Sequence, residues 1–142
     1  MATTKKMVVE WKGNLRLTAK NEKGISVNFD APKEHGGEET ALSPMENVLA
    51  SLASCSSFHV LTILKKKRLK VTAYSVEATA ERRAEPPRIF TKIHLKYIVK
   101  GENIPEHAVE SAIKLSEDKY CSVGGMLQKA VPITSSFEIL EG

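Results

Sequence analysis

The feature that most constrains this fold is a long uncharged helix. Residues 47–64 contain no Asp, Glu, Lys or Arg. Ser43, Pro44 and Glu46 precede them in the pattern of a capping box with proline at the first helical position, which predicts a helix from here to about Lys67. A helix without a charged face is normally buried on nearly all sides.

A single small chain cannot easily bury such a helix. The protein has 142 residues, and a domain of that size rarely surrounds so long an element. Residues 50–57 are nearly all small, which allows a second helix to approach closely. We therefore expect the helix to pack against its own copy in a two-fold homodimer. Its length approaches that of a membrane span, but its polar side chains argue against a membrane partner.

The remaining segments alternate between strand and helix patterns. Short strands precede the long helix, and a long hairpin with one face on the core follows it. This order predicts one α+β domain over residues 1–142, with helices on one side of a sheet. The predicted strands are 7–11, 15–20, 25–30, 71–82, 89–100 and one from Pro132 onward, and the two shorter helices begin at Pro105 and near Val123.

Composition and charge exclude several classes of function. Lys and Arg number 21 against 17 Asp and Glu, and the two signs are interspersed along most of the chain. The one dense basic run, residues 65–68, suits the negative end of the predicted helix, so no nucleic-acid partner is expected. The basic N-terminal residues are followed by no apolar run, which predicts a cytoplasmic protein without a signal peptide.

Two cysteines are the candidate reactive groups. Cys55 lies in the middle of the long helix, and Cys121 lies just before the last short helix, where backbone N–H groups favour a thiolate. They could be inert core residues or a redox pair. His59, one helical turn after Cys55, could complete a zinc set with both cysteines, but no fourth ligand stands out and no metal is expected. Glu46 is explained by the cap, and Arg16 is one of several arginines that could face a thiolate.

Three segments of the chain resemble the OsmC/Ohr family. The sequence SPMENVLA running into ASC, residues 43–55, is similar to the family's helix with its first cysteine. KYCSV, residues 119–123, is similar to its second cysteine segment. ERR at 81–83 with PRIFT at 87–91 resembles the YhfA-like branch of the family. The resemblance covers essentially the whole chain.

The resemblance implies a fold and a reaction. The fold would be an OsmC-like intertwined homodimer, with antiparallel sheets around two long central helices and active sites at the subunit interface. The reaction would be the reduction of organic hydroperoxides by a cofactor-free thiol peroxidase in oxidative stress defence. Cys55 would be the peroxidatic residue and Cys121 the resolving one, and a dithiol reductant would restore both thiols.

The family also pairs a glutamate with an arginine beside its first cysteine. Glu46 and Arg16 are the candidates for these catalytic roles here. The family's glutamate directly follows the proline, however, where this chain has Met45, and one residue is about 100° of rotation on a helix. A second hypothesis is a non-catalytic protein that binds a small molecule in the same interfacial pocket.

Overall fold

The computed structural model describes residues 2–142, which divide after Val48 into two compact units. The single domain predicted from the sequence stays a prediction. The elements of the described chain are β1 (Val8–Trp11), β2 (Leu17–Lys20), β3 (Ser26–Phe29), α1 (Pro44–Lys66), β4 (Val71–Arg82), β5 (Phe90–Gly101), α2 (Glu106–Leu115), α3 (Ser122–Leu127) and β6 (Ile133–Glu141).

The first unit contains a small antiparallel meander. Strands β1, β2 and β3 pair in that order, as the alternating pattern and the intervening turn residues predict. Asn21 closes the turn between β2 and β3, because its Oδ1 accepts hydrogen bonds from the backbone N–H of Lys23 at 3.0 Å and of Ile25 at 2.9 Å. The turn chemistry therefore sets the register of this sheet.

A buried carboxylate organises the loop that follows β3. Asp30 is 2% exposed and accepts hydrogen bonds from the N–H groups of Ala31, Glu38 and Thr40 and from the Thr40 hydroxyl at 2.6 Å. Gly37 allows the loop to close, since a Cβ there would lie 1.9 Å from the Ala31 carbonyl oxygen. The hydrogen bonds from Thr40 are the main cause that lowers the pKa of Asp30 to about 2.

The ionised Asp30 side chain contributes stability to the fold that is lost in acid. Its pKa falls from 3.8 to about 2 on folding, so its stabilisation is present above 3.8 and is lost as the pH falls through about 2. We expect Asp30→Asn to be less stable than the wild type at pH 7, with the difference shrinking across that window. Unfolding curves at stepwise lower pH measure it. A difference that stays constant down to pH values below the window would contradict this assignment.

The helix α1 begins and ends close to the predicted residues. Its capping box is formed: Ser43 N–H donates to Glu46 Oε1 at 2.9 Å, and Glu46 N–H donates to Ser43 Oγ at 3.3 Å. Within one chain only one stripe of the helix is buried, so the expected burial on nearly all sides is not met by this chain alone. The buried residues are Leu52, Ser56, Val60 and Leu64.

By length and composition α1 would also suit a membrane span. This is weak evidence, because the core helix of a soluble protein meets the same criteria. The polar residues Asn47, Ser54 and His59 along the helix fit a protein interior better than lipid.

The second unit is built on a three-stranded sheet. Strands β4 and β5 form the predicted long hairpin, and β5 supplies the centre of the core. Alternate residues of β5 are buried, and α2 adds a buried face of its own. The main core residues are Ile93, Leu95, Tyr97, Val99, Val109 and Ala112. The helix-and-sheet arrangement is the expected α+β plan.

The direction of the last strand differs from the expectation. β6 pairs with β5 in parallel, with Ile93 opposite Ile133 and Val99 opposite Ile139, so the expectation of purely antiparallel sheets is wrong for this sheet. The cause is the connection, since the chain crosses back through α2 and α3 before β6 begins. A crossover of that length allows a strand to return in the same direction as its neighbour.

Candidate thiol site

The structure brings the two cysteines together. Cys55 lies on α1 and is partly exposed, whereas Cys121 is 5% exposed at the start of α3. Both are free thiols, and Cys55 lies close enough to Cys121 to raise the pKa of its thiol. Residues 66 positions apart in the sequence thus become neighbours, which is the arrangement that a redox pair requires. Their catalytic roles stay predictions.

A π-helical turn positions Cys121. Residues Ser116–Tyr120 form this turn, and the Cys121 N–H donates to the Ser116 carbonyl at 2.7 Å to close it. Cys121 then caps α3, with its Sγ accepting a hydrogen bond from the Gly124 N–H at 3.3 Å. Such π turns are frequent at functional sites because they displace a side chain from regular helical positions.

Burial keeps the Cys121 thiol protonated. Burial is the largest influence and raises the pKa of Cys121 to about 11. The Gly124 N–H lowers this pKa, and the nearby Cys55 thiol raises it further. The expectation that the start of α3 favours a thiolate is therefore wrong in its net effect, because burial outweighs the helix terminus. Cys121 needs a base before it can act as a nucleophile.

A cavity of about 120 Å³ lies beside Cys121. Leu52, Leu95 and Ile133 form an apolar part of its lining, and Ser56 and Glu117 are among its polar groups. The lining combines an apolar wall with a few polar side chains, as ligand sites do, although the cavity is smaller than the usual pocket of about 300–1,000 Å³.

A buried chain of polar side chains leads from α1 to the π turn. The Ser56 hydroxyl is hydrogen-bonded to the Tyr97 hydroxyl and, at 3.1 Å, to the Ser116 hydroxyl. The Tyr97 hydroxyl donates to Glu117 Oε2 at 3.2 Å, and Ser135 donates to Glu117 Oε1 at 3.1 Å. Burial raises the pKa of both Tyr97 and Glu117. Ser56 and Glu117 of this chain also line the cavity beside Cys121.

This polar chain is not predicted by the sequence patterns. Tyr97 lies in the predicted hairpin, whose pattern indicates only a face on the core, and Ser56 belongs to the small residues of α1. The one available signal was Glu117, a carboxylate four residues before a candidate reactive cysteine. The contact between Ser56 and Ser116 joins residues 60 positions apart, and no local pattern predicts it.

Glu46 and Arg16 have partners of their own in the first unit. The hydrogen bonds from Ser43 lower the pKa of Glu46, which serves as the cap of α1. Arg16 Nε lies 3.7 Å from Glu38 Oε1, and its Nη2 donates to the Lys12 carbonyl at 3.3 Å. The structure thus gives both residues structural contacts, and their predicted catalytic roles stay predictions.

His59 makes an aromatic contact. Its ring stacks on that of Tyr120, with the ring centroids 5.6 Å apart. Within residues 2–142 no group of three or more His, Cys, Asp or Glu side chains is arranged to hold a metal ion. The possible zinc set of Cys55, His59 and Cys121 is therefore not assembled in this structure. The two stacked rings instead join His59, one helical turn after Cys55, to Tyr120, which directly precedes Cys121.

Two neighbouring glycines in α3 test the packing around Cys121. A Cβ at Gly124 would lie 3.3 Å from Cys121 Sγ and 3.5 Å from Leu52 Cδ1, whereas one at Gly125 would meet nothing within 4 Å. We expect Gly125→Ala to stabilise the protein by up to about 1 kcal/mol through helix propensity. We expect Gly124→Ala to lose that gain, since crowding a packed site costs about 1–3 kcal/mol.

Denaturant unfolding of the two variants measures the difference, and each serves as the control for the other. Equal stability of Gly124→Ala and Gly125→Ala would contradict the close packing of Cys121 against α3.

Similarity to known proteins agrees with this architecture. Residues 36–136 match the family of OsmC-like proteins. Protein YhfA of Escherichia coli (strain K12) is 42% identical over 132 residues, covering 93% of this chain and 96% of YhfA.

Two solved structures share the fold. A hypothetical protein from Aquifex aeolicus VF5 is 32% identical, with a TM-score of 0.86 and 99% of each chain covered. An organic hydroperoxide resistance protein OsmC from Legionella pneumophila is 15% identical, with a TM-score of 0.69 and coverage of 97% of this chain and 98% of that chain. The family match and the identity to YhfA confirm what the two cysteine segments indicated: this chain belongs to the OsmC-like protein family.

Proposed function

We propose that the protein is a homodimeric thiol peroxidase that reduces organic hydroperoxides in oxidative stress defence. The observation that carries the proposal is the thiol pair itself. Cys55 is the more accessible thiol, and Cys121 is buried close to it beside a small cavity. An accessible thiol with a resolving neighbour is the usual form of a redox-active cysteine.

The reaction follows ordinary thiol chemistry. The Cys55 thiolate attacks the distal oxygen of the hydroperoxide, the O–O bond breaks, and the alkoxide leaves and takes up a proton to give the alcohol. Cys55 becomes a sulfenic acid. The Cys121 sulfur then displaces hydroxide from Cys55, which forms a disulfide and water. An external dithiol reduces this disulfide by exchange and restores both thiols.

A structural relative supports the substrate class. The Legionella pneumophila protein that shares the fold bears the name of an organic hydroperoxide resistance protein, although at 15% identity. The apolar wall of Leu52, Leu95 and Ile133 beside Cys121 suits the organic part of such a molecule. The reduced thiols suit the cytoplasm, where we place the protein.

The exposed apolar surface of the single chain supports the dimer. On α1, Phe58 is 72% exposed although it lies on an uncharged helix. In the first unit, Trp11 of β1 is 71% exposed, and Ile25, just before β3, is 66% exposed. Large apolar side chains left open on several elements mark an interaction surface. We infer that a second copy covers them, so that two α1 helices lie together at the centre of an intertwined dimer.

Within this dimer we assign Glu46 and Arg16 to the tuning of Cys55, in the manner that the family resemblance implies. In the single chain, Glu46 is hydrogen-bonded to Ser43, and Arg16 lies beside Glu38. Both contacts are exposed to solvent. A cation close to Cys55 would increase the reactivity of its sulfur towards a peroxide.

Free-thiol counts before and after one equivalent of an organic hydroperoxide test the proposal. We expect the reduced protein to lose both thiols of each chain and to regain them with a dithiol. A protein that keeps both thiols is not a peroxidase, and the cavity would then serve a non-catalytic binding protein. The peroxide-free sample, handled identically, controls for oxidation by air.

A further inference from the structure

We propose that Glu117 is the base that takes the proton from Cys121 when Cys121 attacks Cys55. The inference deepens the proposed peroxidase function and rests on it for its biological role. It concerns the resolving step, which the buried state of Cys121 makes difficult. A thiol that is only 5% exposed is served best by a proton acceptor within its own cavity.

The position of Glu117 fits this task. Glu117 and Cys121 line the same cavity of about 120 Å³, and they lie at the two ends of one π-helical turn. The carboxylate is held by two hydrogen bonds, from Tyr97 to Oε2 and from Ser135 to Oε1. A carboxylate held by two donors and lining the cavity beside Cys121 is a defined acceptor for a proton released there.

Glu117 also lies between the cavity and solvent. Besides the cavity next to Cys121, it lines an open groove on the other side with Glu110, Lys114 and Ser135. Glu117 can therefore also exchange a proton with bulk water, without that proton crossing the apolar core.

The charged surroundings of Glu117 come from three elements. Asp118 beside it raises its pKa and His94 on β5 lowers it, while burial is the largest influence and raises it. Glu110 and Lys114 of α2 face it across the open groove, and Tyr97 is its neutral donor. A carboxyl group with a raised pKa is a stronger base than an ordinary one.

The resolving step balances with Glu117 as a carrier. The Glu117 carboxylate takes the proton of Cys121, and the Cys121 sulfur attacks the Cys55 sulfur of the sulfenic acid. The S–S bond forms as the S–O bond breaks, and the leaving hydroxide takes the proton from Glu117 to become water. Cys121 is oxidised, the sulfenic sulfur is reduced, and Glu117 returns to its starting state.

The test isolates Cys121 from peroxide chemistry. The reduced protein is treated with one equivalent of 5,5′-dithiobis(2-nitrobenzoate), which converts the more accessible Cys55 to a mixed aryl disulfide. This first exchange releases one equivalent of the coloured aryl thiolate. Cys121 then attacks the Cys55 sulfur and releases a second equivalent, whose slower appearance gives the rate of the intramolecular step. This measurement tests the role of Glu117 whether or not the protein reduces hydroperoxides. Failure of the inference about Glu117 can therefore be distinguished from failure of the proposed function.

We expect Glu117→Gln to slow this release by about 100-fold at pH 7, the ordinary effect of losing a positioned base. The variant's rate should rise with pH and approach that of the wild type as Cys121 ionises without help, near its pKa of about 11. Glu117→Asp keeps a carboxylate and should restore part of the rate. Asp118→Asn removes a charge from the same cavity and is the matched control. Because Asp118 acts only through the pKa of Glu117, we expect this variant to slow release far less than Glu117→Gln does.

A Glu117→Gln protein that folds and releases the aryl thiolate at the wild-type rate throughout the pH range would overturn the inference. Equal slowing by Asp118→Asn would also overturn it, because the effect would then be one of charge in the cavity and not of a specific base. Melting temperatures of all three variants show whether the fold is kept.

Discussion

Replacing Cys55 with serine should abolish consumption of organic hydroperoxide, whereas Cys121→Ser should consume one equivalent and stop. A serine hydroxyl is a far weaker nucleophile than a thiolate, so no sulfenic acid forms without Cys55. Without Cys121 the sulfenic acid of Cys55 has no internal partner and persists. Peroxide remaining in solution measures the first result, and trapping with a sulfenic-acid reagent measures the second.

The two cysteine variants control each other. The volume change from sulfur to oxygen is small, although burying an unpartnered hydroxyl costs about 1–3 kcal/mol. Cys121→Ser bears this cost more than Cys55→Ser, since Cys121 is the buried residue. Equal peroxide consumption by Cys55→Ser and the wild type would end the peroxidase hypothesis, provided that unfolding curves show both proteins folded.

Phe58→Glu should convert the dimer into monomers. Phe58 is 72% exposed in the single chain and lies on the uncharged helix that we place at the dimer centre. A buried aromatic residue at an interface contributes about 2 kcal/mol or more, and two-fold symmetry counts it twice. About 4 kcal/mol corresponds to a rise of nearly a thousandfold in the dissociation constant of the dimer.

Sedimentation velocity over a range of concentrations measures this change. Thr79→Glu is the matched control, because it adds the same charge to an exposed position of β4. We expect this control to remain a dimer. A wild-type protein that is monomeric, or a Phe58→Glu protein with an unchanged dissociation constant, would contradict the central position of α1.

Local patterns predicted the elements of this fold well. The capping pattern of Ser43, Pro44 and Glu46 placed the start of α1, and its hydrogen bonds are formed as the pattern indicates. Alternation of apolar residues placed the hairpin of β4 and β5. These features depend on residues close together in sequence, where side-chain chemistry and backbone geometry act directly on each other.

Features that depend on distant residues are not predicted by local patterns, and only the family resemblance indicated that Cys55 pairs with Cys121. The parallel direction of β6 follows from the crossover through α2 and α3, which strand alternation does not encode. The closeness of Cys55 and Cys121 depends on how α1 packs beside the π turn. The raised pKa of Cys121 also depends on the folded chain, because burial is its main cause. The position of Cys121 just before a helix had suggested a lowered pKa.

The hydrogen-bonded polar chain could not be predicted from the sequence for a further reason. Serine, tyrosine and glutamate are common on protein surfaces, so their types do not mark Ser56, Tyr97 and Glu117 as a group. Only the packed structure shows that Ser56 and Tyr97 are 1% and 0% exposed and joined by hydrogen bonds. In the folded protein these residues can be recognised, because they are buried polar side chains with hydrogen-bond partners.

The proposed reaction depends most directly on Cys55 and Cys121 acting as one redox pair. Mass spectrometry of the protein after one equivalent of an organic hydroperoxide, with peptide mapping under non-reducing conditions, tests this claim. We predict a disulfide that links Cys55 to Cys121 within one chain and disappears on treatment with a dithiol. Oxygen added to Cys55 while Cys121 remains a free thiol would contradict it.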